Sequence, residues 1–249
     1  MRDDLRLAAA WLAIGIPLAL AGRRVVSDAV NGVGPAQVGD APLSTRRRAE
    51  HIMAMPAANR EASRRWTARE VRELIAESPL QTPRYELVDG ELLVTPSPIV
   101  PHQRAVAFLW RALDDYLQRN PVGEAYFSPS DVELEAGTIV QPDVFVVPPN
   151  ESQRIIRESP IREVLVAAEV LSPSSGRHDR VTKRQLYGRH LLEYWIVDLD
   201  ARIVERWRLN AQQPDVLVSA LEWHPTDAVE SFRLDLPKYF AAVFREPSV

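Results

Sequence analysis

The chain has 249 residues, of which 46% are hydrophobic and 26% charged, and its formal net charge is −4. This composition is typical of a soluble globular protein, and the length suffices for one large domain or two small ones. The lack of cysteine in the sequence excludes disulfides and thiolate metal sites, and it favours a reducing compartment such as the cytoplasm. The acidic balance argues against a protein that coats nucleic acid through bulk charge, but it permits an enzyme with a local basic cleft.

The beginning of the chain predicts a separate N-terminal tail, residues 1–52. The apolar run LAAAWLAIGIPLALAG at 7–22 is short for a membrane span, and the positive flank of a signal peptide is missing. Small residues, Gly, Pro and a basic cluster follow, and this composition is typical of disorder. Three interpretations stay open: a signal or anchor, a tolerated tail, or an early start assignment, with translation beginning at Met53 or Met55. We favour the last, and we expect no stable membrane association.

Three elements are predicted next. Residues 67–78, TAREVRELIAES, form an amphipathic helix, because Thr67 and Glu70 make a capping-box pattern. Residues 85–96, YELVDGELLVTP, form a hairpin with Asp-Gly at its two-residue turn. Residues 102–120 form a longer helix with an apolar face. That face consists of Val106, Leu109, Trp110, Leu113 and Leu117.

The second half of the chain alternates strands and helices. Residues 123–149 predict two or three strands, and the nearly uniform apolar run at 163–171 predicts a central strand buried on both faces. A helix is expected over 179–190, and two strands around an Asp-Leu-Asp turn over 192–209. Two more strands and a helix from about Pro237 complete the chain. The order predicts one α/β domain, a mixed sheet flanked by helices.

Two carboxylates stand where apolar strands are expected. Asp143 lies in VQPDVFVV and Glu169 lies near the end of EVLVAAEVL. An acid in such a setting is costly unless it is paired or binds a cation. After the Ser172-Pro173 break, Asp179 is expected to cap a helix, and Lys183 and Tyr187 follow on the same face. The short loop at 172–178 allows that face to turn back over the end of the strand that holds Glu169.

This set of residue types suits metal-dependent phosphodiester hydrolysis. Carboxylate oxygens are the hard ligands that Mg²⁺ prefers, and such a metal activates an attacking water. A lysine can orient that water or stabilise the charge that develops on the phosphate. Each feature also has a structural interpretation: a strand aspartate at Asp143, a plain ion pair between Glu169 and Lys183, and a helix cap at Asp179. The joint arrangement favours the metal site.

Five motifs in order and at matching spacing resemble the Uma2 family of restriction-endonuclease-like proteins. They are YELVDGELL, PSP at 96–98 followed by HQ, VQPDVFVV, EVLSPSS with the Asp, Lys and Tyr that follow it, and EYWIVD. The resemblance covers about residues 63–245. It implies the PD-(D/E)XK nuclease fold for that range.

The resemblance also implies roles for individual residues. Pro142-Asp143 corresponds to the PD pair and Glu169 to the following acid, both as metal ligands. Leu171 stands where the wider superfamily has its lysine, and the resemblance implies that Lys183 has taken over that catalytic role from the next helix. Glu86, in the YEL motif, is implied as a further metal ligand, although an exposed hairpin residue is an equal alternative. The implied cofactor is Mg²⁺ or Mn²⁺.

Two functions remain in competition. The first is a metal-dependent endonuclease acting on DNA, with Asp143, Glu169 and Lys183 as catalytic residues. Its further support is a run of five bases against one acid between 172 and 190, which could meet phosphates. The second is a catalytically inactive binding or assembly module that keeps the nuclease fold. A homodimer is plausible, because cutting both strands of a duplex requires two sites.

Overall fold

The computed structural model describes residues 64–78, 82–157, 160–172, 176–226 and 229–247. The predicted tail at 1–52, with its apolar run and the alternative starts at Met53 and Met55, lies outside the described residues. The first described helix, α1, spans Ala68–Glu77 and confirms the predicted capping box. The Thr67 side chain accepts a hydrogen bond from Glu70 N, and the Glu70 carboxylate accepts one from Thr67 N at 3.0 Å.

The predicted hairpin is confirmed as strands β1, Arg84–Val88, and β2, Glu91–Thr95. Asp89 and Gly90 form its turn with φ angles of 50° and 78°, the left-handed conformation that a two-residue turn of this kind requires. Leu87 exchanges two backbone hydrogen bonds with Ile139, at 2.6 and 2.9 Å. These bonds fix the hairpin beside the segment that leads to Asp143.

Helix α2 spans Val100–Arg119 and supports one face of the main sheet. Its buried residues follow the helical period, because Ala105, Leu109, Leu113 and Tyr116 recur every three or four positions. The predicted contact residues Val106 and Trp110 are only partly buried, since they stand at the side of the helix that faces an open cavity.

The main sheet has six strands in the order β3-β4-β5-β6-β7-β8. Strands β5 and β6 run parallel, and the other neighbours run antiparallel. This mixed sheet confirms the predicted fold class. The strands span Glu124–Phe127, Val144–Val147, Val166–Val170, Glu193–Asp198, Ile203–Arg208 and Asp215–Leu217.

Strand β5 is the predicted central strand, and all five of its residues are buried. Its side chains alternate between the two faces of the sheet. Val166, Ala168 and Val170 pack into the core that contains α2 and the C-terminal helix. Ala167 packs into the opposite core. Glu169 therefore faces that opposite side by alternation.

Two parts of the chain differ from the prediction. A short helix, α3, spans Pro149–Ile155 and connects β4 to β5, where no helix was predicted. Three strands follow β7, where two were predicted. The first is β8; the other two, β9, Ala220–Trp223, and β10, Phe232–Asp235, pair with each other in a separate two-stranded sheet. The C-terminal helix spans Leu236–Phe244. Of the helices in the described ranges, none is long and apolar enough to cross a membrane.

Truncation of Leu113 tests the core beneath the sheet. Leu113 is 1% exposed, so Leu113→Ala is expected to lower the free energy of unfolding by about 2–5 kcal/mol through lost burial and a residual cavity. Leu192→Ala removes the same atoms from a side chain that is 64% exposed, so it is the matched control and should change stability by less than about 0.5 kcal/mol. Urea unfolding followed by circular dichroism measures both. Equal losses would contradict the described packing.

Candidate active site

Four carboxyl groups gather at one end of the central strands. This acidic cluster consists of Glu86, Asp143, Glu169 and Asp179, and each is at most 3% exposed. The members come from the hairpin, from the start of β4, from β5 and from the helix after β5. Buried carboxylates are costly unless cations or hydrogen bonds compensate them, so their partners decide what the cluster can do.

Lys183 lies among three members of the cluster. Its Nζ is 2.9 Å from Glu86 Oε2, 3.0 Å from Glu169 Oε1 and 3.4 Å from Asp179 Oδ1. Burial alone would lower the pKa of Lys183, but the negative charges of Glu169, Glu86 and Asp179 raise this pKa well above its ordinary value. Lys183 is therefore a permanent cation in the protein interior.

A π-helical turn, His178–Lys183, carries the lysine and continues into helix α4, Arg184–His190. Such turns are rare and occur frequently at functional sites. The interpretation of Asp179 as a helix cap is wrong, because Asp179 lies inside the turn and is 1% exposed. The charge of the buried Lys183 ammonium holds the carboxylate there instead. The shared face of Asp179, Lys183 and Tyr187 is as predicted.

Tyr187 completes the contacts of Glu169. Its hydroxyl donates to Glu169 Oε1 at 3.2 Å. Burial, and then the charge of Glu169, raises the pKa of Tyr187 well above its ordinary value, so the hydroxyl keeps its proton and remains a donor. The helix thus presents an ammonium and a hydroxyl to the same carboxylate oxygen.

Glu86 is an interior residue rather than an exposed hairpin residue. Its Oε1 accepts a hydrogen bond from Gln141 N at 2.7 Å, and its Oε2 contacts Lys183. The backbone bridge between Leu87 and Ile139 brings these groups into register. The hairpin therefore contributes a carboxylate to the same site as the main sheet.

Asp143 is held by a different set of partners. Its Oδ1 accepts from Arg84 Nη1 at 2.8 Å, and its Oδ2 accepts from Val170 N at 2.9 Å and lies 3.1 Å from His102 Nε2. Burial works to raise the pKa of Asp143, but the hydrogen bond from His102 and the charge of Arg84 hold it below its ordinary value. Asp143 is therefore ionised over the physiological range.

The sheet brings Asp143 next to Glu169. Val144 pairs with Ala168 in antiparallel register, so the two acids occupy adjacent positions across the strands. Burial raises the pKa of Glu169 well above its ordinary value; Lys183 opposes this effect, and Asp179, Asp143 and Glu86 add to it. Additional positive charge nearby would therefore favour the ionised form of Glu169.

Arg84 and His102 are site residues that the sequence interpretation missed. His102 belongs to the HQ of the second motif, and Arg84 stands directly before the YEL motif. Their positions within or beside two of the motifs were the sequence features that could have identified them. Neither residue lies near Asp143 in sequence, so only the folded chain reveals the contacts.

The four acids suit a divalent cation by donor type. Carboxylate oxygens are its preferred ligands, and the cluster sets four carboxyl groups against at most three cations, Lys183, Arg84 and His102. As the described side chains stand, no three of the Asp, Glu and His residues are grouped as metal ligands. Both oxygens of Asp143 accept hydrogen bonds, whereas Lys183 and Tyr187 both contact the Oε1 atom of Glu169. A metal ion at Asp143 would therefore compete with the present donors of that carboxylate.

Asp143 lines an open cavity. A cavity of about 550 Å³ has Asp143, Arg84 and His102 on its wall, together with Trp110 and Phe127. The side chains of Glu169 and Lys183 lie behind Asp143 and are at most 3% exposed. A substrate in the cavity would therefore meet Asp143 first.

Three of the five bases at 172–190 are paired with acids of the protein. Arg180 contacts Asp198 and Glu205, each at 2.7 Å, and Arg189 contacts Glu135 at 2.9 Å. Lys183 of the same run is buried in the acidic cluster. The phosphate-binding face that the charge count suggested therefore stays a prediction.

Comparison with known proteins agrees with the motifs. The model of the Uma2 family, described as "Putative restriction endonuclease", matches residues 71–237. The crystal structure of a "putative nuclease belonging to DUF820" from Anabaena variabilis is similar with a TM-score of 0.54. The two sequences are 16% identical over 69% of this chain and 97% of that chain, so this likeness concerns the fold. No curated protein matches the chain.

Replacement of Lys183 tests the electrostatics of the cluster. Lys183→Met leaves Glu86, Glu169 and Asp179 without their shared cation, so the free energy of unfolding should fall by about 3–5 kcal/mol at neutral pH. The freed acids will hold their protons more tightly in the folded state than in the unfolded state. The stabilisation that comes from proton binding to the folded state is present at low pH and is lost as the pH rises. The difference in free energy of unfolding between wild type and Lys183→Met should therefore shrink toward about pH 4.

Arg189→Met is the control for this prediction, because Arg189 lies on the same helix with a side chain that is 46% exposed. Its loss should cost about 1 kcal/mol or less. Urea unfolding between pH 4 and pH 8 measures all three proteins. A Lys183→Met deficit that grows as the pH falls would contradict the described charge balance.

Proposed function

The chain belongs to the Uma2 family, and on that premise we propose that it is a metal-dependent endonuclease that hydrolyses phosphodiester bonds in DNA. The observation that carries the proposal is the convergence of Asp143, Glu169 and Lys183 at one strand end, with Asp143 at the wall of an open cavity. A carboxylate pair with an adjacent lysine is the set of groups that such hydrolysis needs.

The proposed cofactor is Mg²⁺ or Mn²⁺. Asp143 and Glu169 are the proposed ligands, and Glu86 is a further one. When bound, the metal would polarise the phosphate and lower the pKa of a water molecule. Lys183 would use the protons of its ammonium to orient the nucleophile and to stabilise negative charge on the phosphate oxygens.

The contacts of the site support these separate roles. Asp143 is kept ionised by Arg84 and His102, so it is available as an anionic ligand. Tyr187 and Lys183 fix the orientation of the Glu169 carboxylate through one of its oxygens. Groups whose positions are fixed before the reaction stabilise a transition state without reorganisation.

A catalytically inactive binding module is the second candidate. The observation that favours it is the closed ion-pair network, in which Lys183, Arg84 and His102 already compensate the acids. Such a network could serve the fold alone. A homodimer and a cytoplasmic location also stay predictions, and sedimentation of the purified chain measures the first.

Plasmid cleavage tests the catalytic proposal. The protein with Mg²⁺ or Mn²⁺ should nick supercoiled DNA, and Asp143→Asn, Glu169→Gln and Lys183→Met should each reduce the rate by at least about 100-fold. Asp115→Asn is the control, since it changes an exposed acid on α2. Circular dichroism of each variant separates loss of activity from loss of fold. Equal nicking by wild type and the site variants would remove the endonuclease proposal.

Calorimetric titration tests the metal proposal without reference to activity. Mg²⁺ or Mn²⁺ should bind the wild-type chain, and Asp143→Asn should weaken binding by at least about tenfold, because one charged ligand is lost. Asp115→Asn again serves as the control. The same weak binding to all three proteins would speak for the inactive module.

A further inference from the structure

The cavity beside Asp143 has two chemically different ends. Asp143 stands at one end, where it binds both Arg84 and His102. Trp110, Phe127 and Val106 form an apolar and aromatic surface on the remaining wall. We name the space between these ends the aromatic cavity. Its volume, about 550 Å³, lies within the range of small-molecule binding sites.

The aromatic side chains at this wall are held in place and accessible. The Trp110 indole nitrogen donates to Ala125 O at 3.0 Å, which fixes the ring. The Phe127 ring lies 5.4 Å from the Trp110 ring at 71°, an edge-to-face arrangement. Phe127 is nevertheless 50% exposed, at the end of edge strand β3. An exposed aromatic ring fixed beside a candidate catalytic acid is a feature that the proposed chemistry does not use.

We propose that the aromatic cavity receives the base of an unpaired nucleotide next to the phosphodiester bond that is cut. The substrate class would then be single-stranded or locally unpaired nucleic acid, rather than a continuous duplex. The inference rests on the proposed endonuclease function, and it adds the substrate class of the same site.

The charge of the wall favours a base over a phosphate. The charged groups among the described lining residues are Arg84 and Asp143, which are paired, and His102 also contacts Asp143. The wall that remains offers the Trp110 and Phe127 rings and aliphatic carbons, with uncharged polar groups at Thr82, Gln103 and Ser128. Every base has a π-face that can stack on such rings, and this stacking is tolerant of sequence.

The position of the wall explains why the base must be unpaired. In a duplex each base is stacked between its neighbours, so it can enter a protein cavity only after extrusion or in single-stranded nucleic acid. A base stacked on the aromatic wall would put its own backbone beside Asp143, which lines the other end of the same cavity. Recognition and the proposed chemistry would thus act on one nucleotide.

Fluorescence anisotropy with the full chain tests the inference, with a labelled 12-nucleotide single strand and its blunt duplex as probes. Binding is measured in EDTA and in Mg²⁺. Phe127→Ala should weaken single-strand binding about 5- to 100-fold, the usual effect of removing one stacking ring, and should leave duplex binding unchanged. Leu192→Ala, which removes another exposed apolar side chain away from the cavity, should leave both affinities unchanged.

Further probes identify the occupant. A single strand with a central 2-aminopurine should lose fluorescence on binding to wild type and lose less with Phe127→Ala. An oligoribonucleotide of the same sequence shows whether the chain binds RNA or DNA more tightly, and either preference is compatible with an unpaired base. Binding of a free deoxynucleoside monophosphate without binding of the oligonucleotides would overturn the inference in favour of a free-nucleotide site.

These experiments distinguish failure of the proposed base site from failure of the proposed endonuclease function. Equal single-strand affinity of wild type and Phe127→Ala, or tighter binding of the duplex, overturns the inference even if plasmid is nicked. Phe127-dependent binding of single strands by a chain that cuts no nucleic acid in Mg²⁺ or Mn²⁺ supports the base site and overturns the endonuclease function. An absence of measurable single-strand binding by the wild type under both conditions overturns the base site.

Discussion

One buried ammonium group holds three parts of the chain together at the candidate site. Lys183 contacts Glu86 from the hairpin, Glu169 from the central strand and Asp179 from its own π-helical turn. None of these groups could remain buried with its charge alone. The hairpin, the sheet and the helix after β5 therefore depend on the same interaction, and the lysine has a structural role whether or not it is catalytic.

The acidic cluster divides into Asp143, which Arg84 and His102 contact, and three acids that share Lys183. Asp143 has both oxygens bound to donors and lies at the aromatic cavity. Glu169 lies behind it, where burial and neighbouring acids favour its protonated form. A divalent cation at this end of the sheet would add positive charge beside Glu169 and would take Asp143 as a ligand. In the proposed function, a metal ion at Asp143 would compete with the donors that already hold this carboxylate.

Much of the fold followed from local patterns in the sequence. The capping box at Thr67, the Asp-Gly turn of the hairpin and the apolar run of β5 each have one favoured structure, because backbone conformation and burial period are local properties. The proximity of Glu169 and Lys183 followed from a short connection and helical spacing. Helix α3 escaped prediction, since seven residues between strands carry too little periodicity to be distinguished from a loop.

The sequence by itself determined the strands, the long helices, the family resemblance and the identity of the acids and the lysine, because these depend on neighbours along the chain. Only the tertiary structure decided the partners of those charges. Arg84 and His102 reach Asp143 through pairings between distant segments, and Arg180 and Arg189 turn to acids of the protein itself. Electrostatic energy depends on distance in space and on burial, and neither quantity can be read from the spacing of charges along a chain.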